Sequence, residues 1–216
     1  YEKHLRDLFQ LMKTEGWTTD YLEGAIAAYL SDLPERPEFR YQRKYGSYQA
    51  GDLKENKVKT EELRMEVLGA AVALYPAYEQ GLARLKRYDY ADMILWVLAA
   101  FKENELLLRS YQEQYLYFLV DEYQDTNGAQ NELLHLLAAF WDKPNLFIVG
   151  DDDQSIFEFQ GARLKNLVDY YEQYQEQIKV VLLQQNYRST QAVLDAAGGL
   201  ITHNEQRITR HLADLG

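Results

Sequence analysis

Two adjacent carboxylates, Asp121 and Glu122, follow directly on the apolar run Leu116-Tyr117-Phe118-Leu119-Val120. Placed at the end of a strand, such a pair can divide two tasks. One carboxylate holds Mg²⁺ and the other orients or deprotonates an attacking water. A solvated acidic turn is the competing reading of Asp-Glu alone; the apolar run before it and Gln124-Asp125 after it weigh against that. A second cluster, Gly150-Asp151-Asp152-Asp153-Gln154, ends the run Leu146-Phe147-Ile148-Val149. A glutamine just past a strand end can contact a γ-phosphate. Phe157 and Phe159, two residues apart, could offer ring faces to bases, although such a pair by itself is more often core. The third cluster, Gln184-Gln185-Asn186-Tyr187-Arg188-Ser189-Thr190, follows Lys179-Val180-Val181-Leu182-Leu183. Arginine near a helix start suits bidentate phosphate binding, and tyrosine beside it can stack on a base.

The elements that must position these groups are legible as patterns. The three apolar runs are short and rich in β-branched or aromatic residues, as buried parallel strands are. Each precedes a helical segment; Asn127 with Gln130 caps the first, and Ser189 caps another. Alternating strands and helices imply an α/β layer with polar clusters at the carboxyl ends of the strands, where open sheets bind ligands. Upstream, residues 1–30 read as helices, with Asp20 and Glu23 as a capping box. Residues 31–59 carry Pro34, Pro37, Gly46 and Gly51 and read as an irregular connector. Residues 61–86 read as a long amphipathic helix bent at Pro76, and Asp89 caps a further helix over residues 93–102.

The chain of 216 residues has no cysteine, which excludes disulfides and thiolate metal sites. It has no apolar run of the roughly 18 residues that span a membrane and no signal-peptide layout at its start. A cytoplasmic location is the expectation. The net charge of −11 argues by itself against nucleic acid, but it is uneven. Residues 1–108 carry −3 and residues 109–216 carry −8. Residues 36–64 hold eight bases against five acids, with Phe39, Tyr41, Tyr45 and Tyr48 among them. That composition fits a solvated loop as well as a surface that tracks a nucleic-acid strand.

Taken together, VDEYQDT, VGDDDQSIFEFQGA and LLQQNYRST resemble the VDEFQDT, VGDDDQSIYxFRGA and LxQNYRST motifs of UvrD/Rep-type superfamily-1 ATP-dependent DNA helicases. Tyr88-Asp89-Tyr90-Ala91-Asp92-Met93-Ile94 looks like the family's DFDDLL segment. Asn204-Glu205-Gln206-Arg207 looks like its passage into a second motor domain. The detailed likeness covers residues 86–210, so the chain reads as an internal fragment. The implied fold class is α/β: a partial RecA-like parallel sheet with flanking helices, plus a mostly helical accessory subdomain. The implied divisions are 1–87 for that accessory subdomain, 88–190 for part of the first motor domain, and 191–216 for the start of the second.

The resemblance implies ATP and Mg²⁺ as cofactors, with single-stranded DNA and a duplex junction as partners. Asp121 would hold the metal and Glu122 would position water. Gln154 would sense the γ-phosphate, Arg188 would stabilise the transferring phosphoryl group, and Tyr187 would stack on adenine. Phe157, Phe159 and Gln160 would lie against single-stranded DNA. Gln160 departs from the family's arginine, which puts one DNA or interdomain contact in doubt. The implied activity is 3′-to-5′ translocation on DNA driven by ATP. A phosphate-binding loop, G-x-x-x-x-G-K-[ST], is absent. Gly46 and Gly51 have the glycine spacing, but Asp52-Leu53 follows them and the segment reads as a loop. The fragment by itself is therefore expected not to hydrolyse ATP. The alternative is a non-catalytic nucleic-acid or partner-binding module built on the same fold.

Overall fold

The computed structural model describes residues 1–154 and 178–203. The chain divides into two compact units, Tyr1–Met93 and Ile94–Gly216.

In the first unit, α1 (Glu2–Glu15) sets Leu5, Leu8, Phe9 and Met12 along one stripe, the spacing of an amphipathic helix. Their partners are Leu22 of α2 (Thr19–Asp32), Leu68 and Val72 of α3 (Glu55–Val72), and Tyr75 and Tyr78 of α4 (Tyr75–Arg84). Burying a side chain such as Met12 contributes about 1.5–3 kcal/mol. A second small core joins Leu33, Phe39 and Val58, with Tyr29, Leu30 and Leu53 against it.

Three local expectations are corrected here. The cap of α2 is Thr18, not Asp20. Thr18 is extended (φ −83°, ψ 162°) and its hydroxyl accepts from the Tyr21 amide, so Asp20 already lies inside the first turn. The long helix expected over residues 61–86 begins earlier, at Glu55, and is broken rather than bent. α3 ends at Val72 and α4 restarts with Pro76 in its first turn, where the missing N–H costs nothing. The connector is partly ordered: an antiparallel bridge joins Arg40 to Leu53 and another joins Tyr45 to Tyr48. Gly46 (φ 59°) and Gly51 (φ 93°) are its turn residues, which bears out the loop reading of that glycine pair.

α5 (Tyr90–Glu103) crosses from the first unit into the second. Asp89 caps it as expected: its carboxylate accepts from the Asp92 amide at 3.1 Å, and Asp92 accepts from the Asp89 amide at 2.8 Å. In the second unit, α6 (Glu105–Gln114) leads into β1 (Phe118–Val120). α7 (Gly128–Ala138) returns the chain to β2 (Leu146–Ile148), and the expected Asn127–Gln130 capping box is formed in full. The strands pair in parallel, Phe118 with Leu146, Leu119 with Phe147 and Val120 with Ile148. Helix and loop are thus interleaved with a small parallel sheet, the α/β arrangement expected.

The third run, residues 179–183, is not a strand. Val181 and Leu183 stand 67% and 88% exposed. β-propensity reports fit to a pleated, half-buried surface, and among the described residues this run has no strand to pair with. The helix beyond it, α8 (Gln191–Ile201), begins after Thr190 rather than after Ser189. No helix among the described residues is long and apolar enough to cross a membrane.

Candidate functional site

The backbone ladder between β1 and β2 runs past the last paired residues. The Val149 amide donates to the Val120 carbonyl at 2.8 Å, and the Tyr123 amide donates to the Val149 carbonyl at 3.0 Å. This brings the Asp121–Glu122 turn beside Gly150 and Asp151. Both predicted clusters therefore meet at the carboxyl end of one sheet, where ligands bind in open α/β folds.

Asp121 and Glu122 are exposed. Glu122 takes a left-handed conformation (φ 49°, ψ 42°), rare for a residue with a side chain and concentrated at functional sites. It is held there: its amide donates to Asp121 Oδ1 at 3.0 Å, and its carbonyl accepts from Asp125. The turn continues into a short helical turn, Tyr123–Asp125, whose Tyr123 is fully buried with its hydroxyl on Asn131 of α7.

Gln124 carries no role in the sequence reading, yet its side chain joins the two clusters. It is 1% exposed. Its Nε2 donates to Glu122 Oε2 at 2.6 Å, and its Oε1 accepts from the Asp151 amide at 3.0 Å. Gly150 leaves room beside it: a Cβ there would lie 3.0 Å from Gln124 Oε1, so the buried amide would have to shift by a few tenths of an ångström. On the far side, Asp151 Oδ2 accepts from Gln154 Nε2 at 2.6 Å, and Asp151 Oδ1 accepts from the Asp153 amide at 3.0 Å. One continuous chain of hydrogen bonds thus runs Glu122–Gln124–Asp151–Gln154. The signal was present in sequence only as a glutamine two residues past a carboxylate; its burial and its second partner were not.

Tyr187 and Arg188 are not brought into this chain by any hydrogen bond among the described residues. Asn186 Oδ1 caps their loop, accepting from the Arg188 amide at 2.9 Å and the Ser189 amide at 2.8 Å. Tyr187 is 91% exposed with its hydroxyl on Gln185. Phe157, Phe159 and Gln160 lie outside the described residues. No cluster of three or more metal-binding side chains occurs among the described residues. Mg²⁺ takes one or two carboxylates and draws its other ligands from phosphates and water, and Asp121 offers an exposed carboxylate at the strand end.

The UvrD/REP helicase N-terminal domain family model matches residues 5–175. Over 139 residues the chain is 42% identical to the ATP-dependent DNA helicase PcrA of Leuconostoc citreum, covering 64% of this chain and 18% of that protein. It is 42% identical to the PcrA of Staphylococcus epidermidis and 40% identical to that of Staphylococcus aureus. Each match covers 134 residues, 62% of this chain and 18% of the relative. The chain thus spans about a fifth of the length of these curated relatives. With the strand-end carboxylates, their buried glutamine link and a family match over most of its length, the chain belongs to the UvrD/REP helicase N-terminal domain family.

Proposed function

We propose that this chain is the hydrolytic and DNA-coupling part of an ATP-dependent DNA helicase that moves 3′ to 5′ on single-stranded DNA. The observation that carries the reading is the hydrogen-bond chain from Glu122 to Gln154. Residues 1–87 serve as an accessory subdomain, 88–190 as part of a RecA-like first motor domain, and 191–216 as the start of the second. Mg²⁺ held by Asp121 would neutralise charge on the β- and γ-phosphates of ATP. Glu122 has one oxygen fixed by Gln124 and one left to accept a proton from water. Gln154, tied to Asp151, stands where a strand-end amide can read the γ-phosphate. Any shift of Gln154 on phosphate loss is passed through Asp151 and Gln124 to Glu122. Arg188 and Tyr187 would close on phosphate and adenine from a loop that the described hydrogen bonds leave outside this chain.

Gln124 is then a positioning residue. In the full-length protein, Gln124→Ala should lower kcat roughly 10- to 100-fold, the usual effect of losing a group that orients a catalytic ligand. KM for ATP should change little. Gln124→Glu, which keeps the shape but replaces the donor with a carboxylate, should not restore the rate. An unchanged kcat alongside a large drop in melting temperature would make Gln124 a packing residue only.

The test of the whole reading is phosphate release by the full-length protein with and without oligo-dT. DNA should stimulate it, while the 216-residue chain alone, lacking a phosphate-binding loop, should match its own Glu122→Gln variant. Phe159→Ala in the full-length protein should weaken single-stranded DNA binding by roughly 1–3 kcal/mol and cut DNA-stimulated turnover more than basal turnover. A cost of about 3–5 kcal/mol in folding with unchanged DNA affinity would place Phe159 in a core instead. A full-length protein that binds DNA without DNA-stimulated hydrolysis would favour the non-catalytic module.

A further inference from the structure

We propose that the hairpin of residues 39–54 is a contact for single-stranded nucleic acid, with unpaired bases stacking on Tyr45 and Tyr48 and phosphates held by Arg43 and Lys44. The proposal rests on the reading of the protein as one that acts on DNA, and adds a site in a part of the chain to which that reading gives no contact.

The ribbon is built by its backbone. The Lys54 amide donates to the Phe39 carbonyl at 2.8 Å, the Tyr41 amide to Asp52 at 2.9 Å, and Tyr45 and Tyr48 exchange both amide–carbonyl bonds at 3.0 Å. Gly46, at φ 59°, occupies the first central position of the two-residue turn, where a positive φ is required. Asp52 ties down the return by accepting from the Gln49 amide at 2.6 Å. The base of the ribbon is anchored, since Phe39 is buried in the small core with Leu33 and Val58.

Along one side the rings stack on each other. Tyr41 lies 4.6 Å from Tyr48 with 12° between their planes, and 6.2 Å from Tyr45 with 9°. Tyr45 is nevertheless 71% exposed and Tyr48 46%. Nearly parallel rings with open surface are the platform on which bases stack without regard to sequence. A paired duplex keeps its base faces stacked on one another, so the platform fits an unpaired strand.

The charges divide in the same way. Near the base the cations are already engaged. Arg36 pairs with Asp32 and Arg40 with Glu35, while Lys54 and Lys57 both donate to the Glu38 carbonyl and lie over the rings of Tyr41 and Phe39. At the tip, Arg43 and Lys44 are exposed, and neither forms an ion pair among the described residues. Adjacent free cations beside exposed rings, in a chain of net charge −11, are complementary to a strand that presents phosphates and bases together.

The experiment is a titration of the full-length protein with labelled oligo-dT and with a blunt duplex, over a series of salt concentrations. Tyr45→Ala should weaken oligo-dT binding by about 5- to 150-fold, the range for one lost base stack. Tyr45→Trp should restore it, and the melting temperature should not move because the ring is exposed. Arg43→Ala with Lys44→Ala should flatten the slope of log affinity against log salt by about 1.4, at about 0.7 per phosphate contact on a single strand. Duplex affinity should respond less than oligo-dT affinity in each variant. Variants that bind oligo-dT as the wild type does, or that lose duplex and single strand equally, overturn the hairpin site while leaving the helicase reading intact. A wild-type protein that binds no DNA overturns both.

Discussion

Glu122→Gln in the full-length protein is expected to lower kcat by about 10²- to 10⁴-fold, the usual contribution of a positioned general base, while nucleotide affinity is retained. The site explains why the two effects should separate. Asp121 is left in place to hold Mg²⁺, so phosphate binding keeps its metal. A glutamine at 122 can still accept the Gln124 Nε2 hydrogen bond through its amide oxygen, and it can keep the left-handed backbone at no greater cost than glutamate. What is lost is the negative charge facing water. Single-turnover hydrolysis beside equilibrium binding of a fluorescent nucleotide measures both. A loss of affinity as large as the loss of turnover would mean that Glu122 holds the turn together rather than acting on water.

Lys13→Met is expected to destabilise the first unit by about 3–5 kcal/mol, because it strands the buried Asp92 carboxylate, and the half-buried Asp89 beside it, without their cation. Lys13 has no exposed side-chain surface. Its Nζ lies 2.6 Å from Asp92 Oδ1 and 3.0 Å from Asp89 Oδ2, with Glu79 at 3.8 Å and the Tyr78 ring centroid at 5.2 Å. The bridge fastens the last turn of α1 to the reciprocal cap at the start of α5, so its loss should also loosen that cap. Burial alone would lower the Lys13 pKa, but hydrogen bonds and charge from Asp92 and Asp89 outweigh it and hold the group above its ordinary value.

A raised folded-state pKa gives stability that is complete below the unfolded lysine value of about 10.4 and is lost as pH rises through the folded value. Wild-type melting temperature should therefore fall more steeply than that of Lys13→Met on the alkaline side of that value. Lys13→Met combined with Asp92→Asn should recover part of the loss. A melting temperature within a degree or two of wild type for the single variant would show that water reaches the carboxylates and that the bridge contributes little.

The Asp121–Glu122 pair at a strand end, the Asn127–Gln130 box and the Asp89 cap were all legible in the sequence for one reason. Each is decided within about four residues, by side chains that bond neighbouring backbone amides or by an apolar run that stops at a polar pair. The family likeness was legible because its motifs are runs of adjacent residues. Where two neighbours compete for one local role the sequence was less decisive. Thr18 rather than Asp20, and Thr190 rather than Ser189, precede their helices because the backbone leaves the extended region there.

Tertiary structure decided whatever depends on distant segments meeting. Residues 179–183 have strand composition but pair with no strand among the described residues, and a strand is made by its partner. Lys13 finds Asp89 across 76 residues, and nothing in the local pattern of α1 marks that lysine as buried. Gln124 reads in sequence as one more polar residue of an acidic turn. Only the parallel register of Phe118 with Leu146 brings Gly150 and Asp151 alongside it, and the absence of a side chain at Gly150 lets its amide oxygen reach the Asp151 backbone. Sequence thus determined which groups could do chemistry, because their types and local spacing are covalent facts. Whether those groups touch was settled by strand register and burial, which arise only when separate stretches of chain exclude water from one another.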